Sequence, residues 1–592
     1  MKHLRLLLVL AALWLAPRTE AARVISVSEL NYNPLGGSDY EFIELVNLGA
    51  TSFDLSGASF TNGVSYTFKA GVTLAPGARI VVCRTRSAFT TLYGSSGITL
   101  ASGSYSGKLS DTGDTLVLVS GGGAQLLKFT YSSSGAWPSR ANGLGSSLEC
   151  IDPAGDLNDP LNWRSSTEYN GSPGRAGVGP LNTIVINEVL SHTDPPLEDA
   201  IELYNLAATN VDLSNWYISN NRAVPKKFHV PAGTVVPPHT FKVFYELRDT
   251  GSPAGFNSTG SGTDPEFTFN SAHGDEAVLL STTGGTNLQY WVDAVSFGSA
   301  PHGVSFGRYP DFTGPTVLMD HLTLGTSVDA TYPPEFLTTF RMGTGASNSL
   351  PKVGPLVINR IMYHPLTNGD EFVELLNIAT TNTPLFDPFA PTNTWLLSKA
   401  IDFVFPTNNY LAAGAKLLVV PTTPDAFRAK YGIPAAVQIF GPYTNSLGNS
   451  GDTIELYRSD PPQAPPHPDA GYVPYILVEK VSYLPAAPWP VEADGTGAAL
   501  LRKNPSLYAN DPSNWTVDVL PPPVVGITQL NATTVQLSFT AAPGQGYVVE
   551  STTDVSSAST WKTLQVLDPT VNGSTVNLPV AVTGTRQFLR VR

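Results

Sequence analysis

Short apolar runs separated by turn-forming residues dominate this chain. Along residues 42–47 successive side chains fall on opposite faces, so Glu44 lies on one face while Leu45 and Asn47 lie on the other. Comparable runs, rich in Val, Ile, Leu, Phe and Thr, recur between clusters of Gly, Pro, Asn, Asp and Ser. This pattern is typical of antiparallel β-sandwiches, so the sequence predicts an all-β fold.

One strand-like phrase occurs three times, in residues 39–47, 198–205 and 369–377. Each occurrence contains Glu-Leu-x-Asn, and the register residues are Glu44, Asn47, Glu202, Asn205, Glu374 and Asn377. The occurrences lie much farther apart than the roughly 20–50 residues of a solenoid repeat. The sequence therefore indicates that whole domains are repeated.

Further matching segments surround each phrase in the same order. An apolar strand precedes it, and a later strand opens with a Gly-Asp turn. The first and third repeats both end in Asn-Asp-Pro-x-Asn-Trp, at residues 158–163 and 510–515, and no such tail is visible in the second. In the preceding strand Arg360 stands where the other repeats have Glu29 and Glu188.

This order of motifs resembles the lamin tail domain, a family known in nuclear lamins and in secreted or surface-attached bacterial proteins. The resemblance covers residues 23–178, 182–349 and 354–519, which we call the first, second and third copies. It implies an immunoglobulin-like β-sandwich for each copy. Because Arg360 departs from the pattern, a role for the glutamate at that position does not extend to the third copy.

The alternation inside the phrase also predicts which residues enter the core. Leu45, Leu203 and Leu375 neighbour the register glutamates, so we expect these leucines to be equivalent core residues. The glutamates would then face away from the core, either into solvent or into a hydrogen bond with a neighbouring loop.

A smaller module is predicted at residues 523–592, after a stiff Pro-rich break at residues 521–523. Its alternating strands resemble a fibronectin type III-like or related immunoglobulin-like domain. The predicted fold class is thus all-β, with three lamin-tail-like sandwiches and one smaller sandwich. A chain of 592 residues has room for about four domains, since roughly 100–200 residues form one domain.

Residues 1–22 have a basic head, a short apolar run and then small residues, which is typical of a secretory signal peptide. A retained membrane anchor is the alternative, but the apolar run is shorter than the roughly 20 residues that span a bilayer. No other stretch is apolar enough for a transmembrane helix. We therefore expect a secreted protein, either extracellular or at the cell surface.

The net charge of −14 opposes binding to nucleic acid, which depends on clustered Lys and Arg. Only 14% of the residues are charged, and no basic stripe is visible. The expected partners are a surface protein or a polysaccharide, and the sequence leaves the oligomeric state open.

Two features of the first copy leave alternatives open. Cys83 and Cys150 are the only cysteines, and in a secreted protein they form either a disulfide or two buried thiols. Asp152, Asp156 and Asp159 lie in an oxygen-rich turn that suits calcium, although a solvated acidic loop is the alternative. No other cofactor is indicated.

The sequence shows no recognisable catalytic motif. Its 9 histidines lack zinc-site spacing, and no nucleophile elbow or phosphate-binding loop is present. Two carboxylate pairs, Glu41 with Glu44 and Glu371 with Glu374, could suggest a glycosidase, but strand residues three apart face opposite ways. In the second copy Ala200 is taken to replace the first glutamate of the pair.

The resulting prediction is a secreted, non-enzymatic structural, adhesive or binding protein of the bacterial surface or extracellular matrix. The alternative is a carbohydrate-binding or carbohydrate-active protein that uses loops on one sandwich. Its sugar-stacking residues would come from the tryptophans at Trp137, Trp216, Trp291, Trp395 and Trp489.

Overall fold

The computed structural model describes most of the chain. The described ranges are residues 23–193, 197–246, 255–259, 265–324, 344–465, 469–518, 525–541, 546–553, 555, 561–567, 574–582 and 587–591. The predicted signal peptide at residues 1–22 and the Pro-rich break at residues 521–523 lie outside these ranges. None of the helices in the described ranges is long and apolar enough to cross a membrane.

Proximity of Cα atoms divides the chain into two compact units. The first unit runs to Val185 and also contains Asn205–His239 and Ala277–Ala294. The second unit consists of Ile186–Tyr204, Thr240–Glu276 and Val295–Arg592. The first copy therefore belongs to the first unit, the third copy belongs to the second, and the second copy contributes to both.

The first copy is built from short antiparallel strands and one described helix, α1 (Arg86–Tyr93). The strands are β1 (Ile25–Asn31), β2 (Phe42–Asn47), β3 (Phe53–Asp54), β4 (Ser59–Asn62), β5 (Val64–Thr67), β6 (Thr73–Leu74), β7 (Arg79–Cys83), β8 (Ser106–Gly107), β9 (Gly113–Val119), β10 (Gln125–Ser132), β11 (Leu148–Cys150) and β12 (Trp163–Ser165).

These strands form two five-stranded sheets, ordered β12-β11-β1-β2-β7 and β10-β9-β4-β5-β8, and the short ribbon β3-β6. Side chains from both sheets, including Leu45, Phe60 and Leu116, join one buried apolar cluster. Burial alternates along β10, as expected when one face of a strand meets the core. The predicted β-sandwich is confirmed.

The second copy contributes strands to separate sheets. They are β13 (Ile184–Leu190), β14 (Ala200–Asn205), β15 (Val211–Asp212), β16 (Tyr217–Ser219), β17 (Phe228–His229), β18 (Val235–Val236), β19 (Phe241–Tyr245), β20 (Asp275–Thr283), β21 (Asn287–Phe297), β22 (Phe306–Arg308) and β23 (Thr316–Leu318). The sheet orders are β19-β14-β13-β22-β23, β17-β16-β20-β21 and β15-β18.

The third copy repeats the plan of the first, with one described helix, α2 (Pro424–Tyr431). Its strands are β24 (Leu356–Met362), β25 (Phe372–Asn377), β26 (Thr383–Pro384), β27 (Leu396–Lys399), β28 (Ile401–Val404), β29 (Tyr410–Leu411), β30 (Lys416–Val419), β31 (Gln438–Phe440), β32 (Thr444–Asn445), β33 (Asp452–Ser459), β34 (Tyr475–Tyr483), β35 (Leu500–Arg502) and β36 (Trp515–Val517).

Its main sheets are ordered β31-β30-β25-β24-β35-β36 and β32-β28-β27-β33-β34, with a ribbon β26-β29. The two main sheets share an apolar cluster that includes Leu375, Leu397 and Leu456. The chain thus encloses a second sandwich core of the same kind.

The C-terminal module has two three-stranded sheets, ordered β37-β38-β41 and β40-β39-β42. The strands are β37 (Gly526–Asn531), β38 (Thr534–Ala541), β39 (Tyr547–Thr552), β40 (Lys562–Leu567), β41 (Ser574–Ala581) and β42 (Phe588–Val591). Leu537, Phe539 and Val549 lie in the cluster that the two sheets share.

The matching tails of the first and third copies fold alike. The indole of Trp163 donates to the carbonyl of Leu157, and that of Trp515 donates to Ala509. Asn158 accepts a hydrogen bond from the Thr130 amide of the opposite sheet, as Asn510 does from the Ser482 amide. The tail therefore fastens one sheet of each sandwich to the other.

Candidate functional site

The register strand occupies an equivalent place in the three copies. Glu44 pairs across the sheet with Glu29 and Val81, and Glu374 pairs with Arg360 and Leu418. In both copies the strand before the phrase carries a β-bulge immediately ahead of the partner of the glutamate. A β-bulge changes the direction of the side chains that follow it. The same bulge is present in both sheets.

In the second copy, Glu202 pairs with Val243 in the same manner. The strand order therefore superimposes the three register glutamates, as their spacing in the sequence predicts.

The register leucines are core residues, as expected. Leu45, Leu203 and Leu375 are all fully buried. The glutamates beside them point the other way, yet Glu44 and Glu202 are only 1% and 0% exposed. Of the two alternatives, solvent exposure or a bond to a neighbouring loop, the structure has the second.

In the first copy a segment that we call the first strap, residues 168–178, covers the outer face of the sheet. Ser172 donates to Glu29 from its amide at 2.7 Å and from its hydroxyl at 3.1 Å. The amide of Gly174 donates to Glu44 at 2.5 Å. Arg79 completes the surroundings of Glu44 with an Nε–Oε1 distance of 3.0 Å.

Burial changes the acidity of both carboxyl groups under the first strap. Loss of water raises the pKa of Glu29 well above its usual value, and the neighbouring Glu44 charge raises it further. Burial likewise raises the pKa of Glu44, against the lowering effects of Ser28, Gly174 and Arg79. The pair is enclosed, so it is not presented to a substrate in solution.

A second strap, residues 344–349, has the same role in the second copy. The amide of Ala346 donates to Glu202 at 3.1 Å, and Asn187 donates to the other oxygen at 2.9 Å. Glu188, which corresponds to Glu29, accepts hydrogen bonds from the hydroxyls of Ser305 and Thr323. Backbone amides of distant segments thus donate hydrogen bonds to the register glutamates of both copies.

The third copy is arranged differently. Glu374 accepts from Asn359 at 2.6 Å and contacts Lys416 at 3.0 Å, and both contacts involve its Oε1 atom. Arg360 forms an ion pair with Asp518 at 3.1 Å. Glu374, Lys416, Arg360 and Asp518 line a groove with a volume of about 340 Å³.

The register asparagines shape a turn in every copy. Asn47 donates to the carbonyls of Thr51 and Leu74 and accepts from the Gly49 amide. Asn205 and Asn377 make the equivalent bonds to residues two and four positions ahead and to a distant carbonyl. Their role is structural.

The assignment of Ala200 as the replacement of the first paired glutamate is wrong. Ala200 corresponds to Phe42, because it lies two positions before the register glutamate, whereas Asp199 lies three positions before it, as Glu41 does. Asp199 accepts from the Phe269 amide at 2.9 Å, and Glu41 accepts from the Leu109 amide at 2.9 Å.

Glu371 makes the corresponding contact in the third copy, with the Leu447 amide at 2.9 Å. An acidic residue three positions before the register glutamate therefore fastens a distant loop in each copy. Counting positions back from the glutamate would have found it in the sequence.

The three aspartates of the calcium candidate are not brought together as ligands. Asp152, Asp156 and Asp159 each accept from a backbone amide two residues ahead, at 2.9 Å in each case. Among the described residues no group of three His, Cys, Asp and Glu side chains is placed to hold a metal ion. The turn is held by local side-chain-to-backbone bonds of the kind that aspartate forms in loops.

The alternative of a Cys83–Cys150 disulfide is contradicted, because both residues are buried free thiols. Cys83 ends β7 and Cys150 ends β11, and two strands lie between them in the sheet. Three inter-strand spacings amount to about 14 Å, well beyond the Cα separation of a disulfide. Cys83 also packs with Phe89 outside the sandwich core that contains Cys150.

None of the five candidate tryptophans, all of which lie within the described ranges, is exposed. Trp291, Trp395 and Trp489 are buried, and Trp137 and Trp216 are half-buried. Among the histidines, His273 lies 3.1 Å from Asp469 and His364 lies 2.5 Å from Asp494. Both pairs lie at the surface, and the ring of His273 also stacks on Tyr472.

Comparison with known proteins finds a likeness to one family model and, among solved structures, to the two distant proteins described next. The chain is 11% identical to a DUF4876 family protein from Bacteroides thetaiotaomicron, over 57% of this chain and 92% of that one, with a TM-score of 0.18. It is 10% identical to an exo-β-1,3-galactanase from Phanerochaete chrysosporium, over 93% and 96% of the two chains, with a TM-score of 0.08.

No curated protein matches the chain. The family model described as Lamin Tail Domain matches it twice, at residues 18–133 and 179–299. These two regions begin with the first and second copies and include their register phrases. In both regions the chain is therefore similar to lamin tail domains, and its all-β sandwich architecture agrees with that likeness.

Proposed function

We propose that this protein is a secreted, non-enzymatic structural or adhesive protein of the bacterial surface or extracellular matrix. Three lamin-tail-like sandwiches and a smaller fibronectin type III-like module would form its body, with boundaries at residues 23–178, 182–349, 354–519 and 523–592. The basic, apolar and small-residue pattern of residues 1–22 supports export.

One observation carries the non-enzymatic part of the proposal. The carboxylates that recur between copies, Glu44 and Glu202, are buried and accept hydrogen bonds from strap amides. A general acid or base must instead reach a substrate proton within hydrogen-bonding distance. The most conspicuous repeated acids of the chain are thus engaged in holding its own fold.

The carbohydrate-directed alternative has less support, because none of its five candidate tryptophans is exposed. Sugar recognition by stacking would need accessible aromatic faces. We therefore favour a surface protein or a polysaccharide bound through means other than these tryptophans.

The test has two parts. Antibody labelling of intact cells and culture medium should locate the protein outside the cytoplasm. The purified chain should bind isolated envelope protein or polysaccharide and should show no turnover of ester, peptide, glycan or nucleic-acid substrates. A heat-unfolded sample of the same chain serves as the binding control.

Turnover that disappears in a His273→Ala or His302→Ala variant would contradict the non-enzymatic assignment. Retention of the protein in the cytoplasm would contradict the assignment to the cell surface.

A further inference from the structure

Residues of the first copy lie along the edge of a sheet in the second copy. β21 is the last strand in the order β17-β16-β20-β21, and beside it lie residues 167–169, which we call the fastening segment. The Tyr169 amide donates to the Gln289 carbonyl at 2.9 Å, and the Trp291 amide donates to the Thr167 carbonyl at 2.8 Å. An antiparallel bridge lies between these two bonds. The segment therefore adds a short strand from one copy to the sheet of the next.

Side chains complete this joint around Trp291, which is only 3% exposed. Its indole donates to the carbonyl of Gly145 in the first copy at 2.9 Å. The ring of Tyr169 lies 5.8 Å from the Trp291 ring and packs against the apolar cluster that also contains Val278 and Leu280. An aromatic side chain of the first copy thus joins a hydrophobic cluster of the second.

A cation from the first copy lies over the same tryptophan. The guanidinium carbon of Arg140 is 5.0 Å from the centre of the Trp291 ring. The first copy holds this group in place, because Nε donates to the Ser146 hydroxyl and Nη2 donates to the Ser166 carbonyl, each at 2.8 Å. Loss of water, with a further contribution from the Arg222 charge, lowers the pKa of Arg140 to about 10, so the group is charged at neutral pH. A cation–π contact is stronger where water is excluded.

Gly145 permits this close packing. Its φ of 79° favours glycine, and a Cβ there would lie 2.9 Å from the Tyr169 ring and 3.4 Å from the Trp291 ring. A larger residue would therefore push the aromatic rings away from the first copy. The surface of the first copy is thus shaped to receive the tryptophan of the second.

The joint is a second attachment between the two copies. The covalent attachment is residues 179–183, which connect the first strap to β13. Domains joined by a linker move relative to one another unless a further interface holds them. The fastening segment is itself fixed in the first copy, because the first strap donates to Glu29 and Glu44 through Ser172 and Gly174.

The third copy shows a related contact at its own terminal strand. β34 is the last strand in the order β32-β28-β27-β33-β34, and Ser299 of the second copy forms a parallel bridge with Ile476 of this strand. An unpaired sheet edge can pair with strands of other chains. In both places the preceding copy covers part of such an edge.

We propose that the fastening segment and Arg140 lock the first copy to the β17-β16-β20-β21 sheet of the second copy, so that the two move as one body. The backbone bonds set the position of the joint, and the buried Trp291 resists sliding along the edge. The chain is therefore stiff at this joint and does not swivel at residues 179–183. The inference uses neither the location nor the partners proposed above, so either can fail without the other.

Distances between pairs of spin labels test the joint in the full chain. One pair spans it, with Thr67→Cys in the first copy and Thr283→Cys in the second. A reference pair, Thr67→Cys with Leu92→Cys, lies within the first copy. All three labelled positions are exposed. Both natural cysteines are buried and should not take the label, which the unaltered chain checks.

Double electron–electron resonance should give the pair across the joint a single distance, with a distribution as narrow as that of the reference pair. Several distances, or a distribution clearly broader than the reference, would overturn the proposal. This measurement needs no substitution at the joint, so it decides the question even if the variants below do not fold.

Two variants assign the stiffness to the joint. Trp291→Ala should broaden the distribution across it, whereas Trp163→Ala should not, since Trp163 is also 3% exposed but its indole donates to Leu157 within the first copy. Tyr169→Pro removes the amide that donates to Gln289 and should broaden the distribution as well. The reference pair checks that the first copy stays ordered in each variant. A distribution that stays narrow in Trp291→Ala and Tyr169→Pro alike, or that broadens equally in Trp163→Ala, contradicts the proposal.

Discussion

At the scale of single residues, neighbouring positions of one strand serve opposite sides of the sheet. Leu45 enters the sandwich core, while Glu44 is buried on the outer face under the first strap. Both are inaccessible to solvent, but for different reasons. Leu45 buries its apolar side chain in the core, whereas Glu44 replaces its hydrogen bonds to water by bonds to amide, hydroxyl and guanidinium donors. A polar side chain such as that of Glu44 can be buried only because its polar atoms have hydrogen-bond partners.

We expect Leu45→Ala to lower the free energy of unfolding of the first copy by about 2–5 kcal/mol, because it leaves a cavity in a closed core. Leu92→Ala is the matched control, since Leu92 is 41% exposed and should change stability by no more than about 0.5 kcal/mol. Urea denaturation of the two variants measures the difference. Similar small losses in both would mean that the strand faces are assigned the wrong way round.

The Glu29–Glu44 pair predicts a pH dependence. Because the pKa of each carboxyl group is raised in the folded state, the fold binds protons that the unfolded chain has released. The free energy of unfolding should therefore fall as pH rises from about 4.5 towards neutrality, by up to about 1.4 kcal/mol per pH unit for one proton.

Glu29→Gln should remove most of this dependence and raise the stability of the first copy at pH 8 relative to the unaltered chain. Calorimetric scans at pH 5 and pH 8 measure the effect, and Glu276→Gln provides a control acid on a strand of the other unit. An unchanged slope in Glu29→Gln would show that this pair does not hold the proton.

At the scale of elements, each outer sheet face depends on what lies across it. The first strap reaches carboxylates more than a hundred positions away in sequence, through Ser172 and Gly174. Helix α1 takes part, because the Tyr93 hydroxyl at its end donates to the carbonyl of Asn170 at 2.7 Å. The strap is therefore a structural element in its own right, although it contains no regular secondary structure.

A pair of glycine substitutions isolates the close approach of the first strap. Gly171 and Gly37 share a φ of 103°, but a Cβ at Gly171 would meet Glu29, whereas a Cβ at Gly37 would have no neighbour within 4 Å. Both substitutions incur the backbone cost of a positive φ, about 1–2 kcal/mol. Gly171→Ala should cost at least about 1 kcal/mol more than Gly37→Ala in urea denaturation. Equal losses would argue against a tight strap.

At the scale of the whole molecule, the three copies share the position of the register strand and its core leucine. They differ in what lies against the outer face of that strand. Among the described residues, the first and second copies place their straps there, and in the third copy the same face lines a groove. Variation is thus concentrated in segments between strands, where a change does not disturb the core.

Limited proteolysis tests this organisation. From sequence alone the first cuts are expected near residues 175–183, 346–355 and 517–524, where Gly, Pro and Ser cluster. The strap contacts protect residues 346–349, and residues 350–352 pair with residues 318–320, so in the second of these regions the cuts should fall at residues 353–355. Mass spectrometry of the first fragments locates them. Early cuts inside β2 or β25 would contradict the domain boundaries.

The sequence by itself determined the pattern of strands and turns in this protein. Alternation identified Leu45, Leu203 and Leu375 as core residues, and the repeated Glu-Leu-x-Asn phrase aligned three sheets correctly. These features are local, since a strand's faces follow from a period of two and a turn follows from a few adjacent residues.

Only the tertiary structure decided what covers each face. It buried Glu44 under residues 168–178, separated Cys83 from Cys150 by two strands, and placed Glu374 in the lining of a groove. Each of these outcomes depends on contacts between segments that are far apart in the chain. A pattern of neighbouring residues does not predict such long-range contacts.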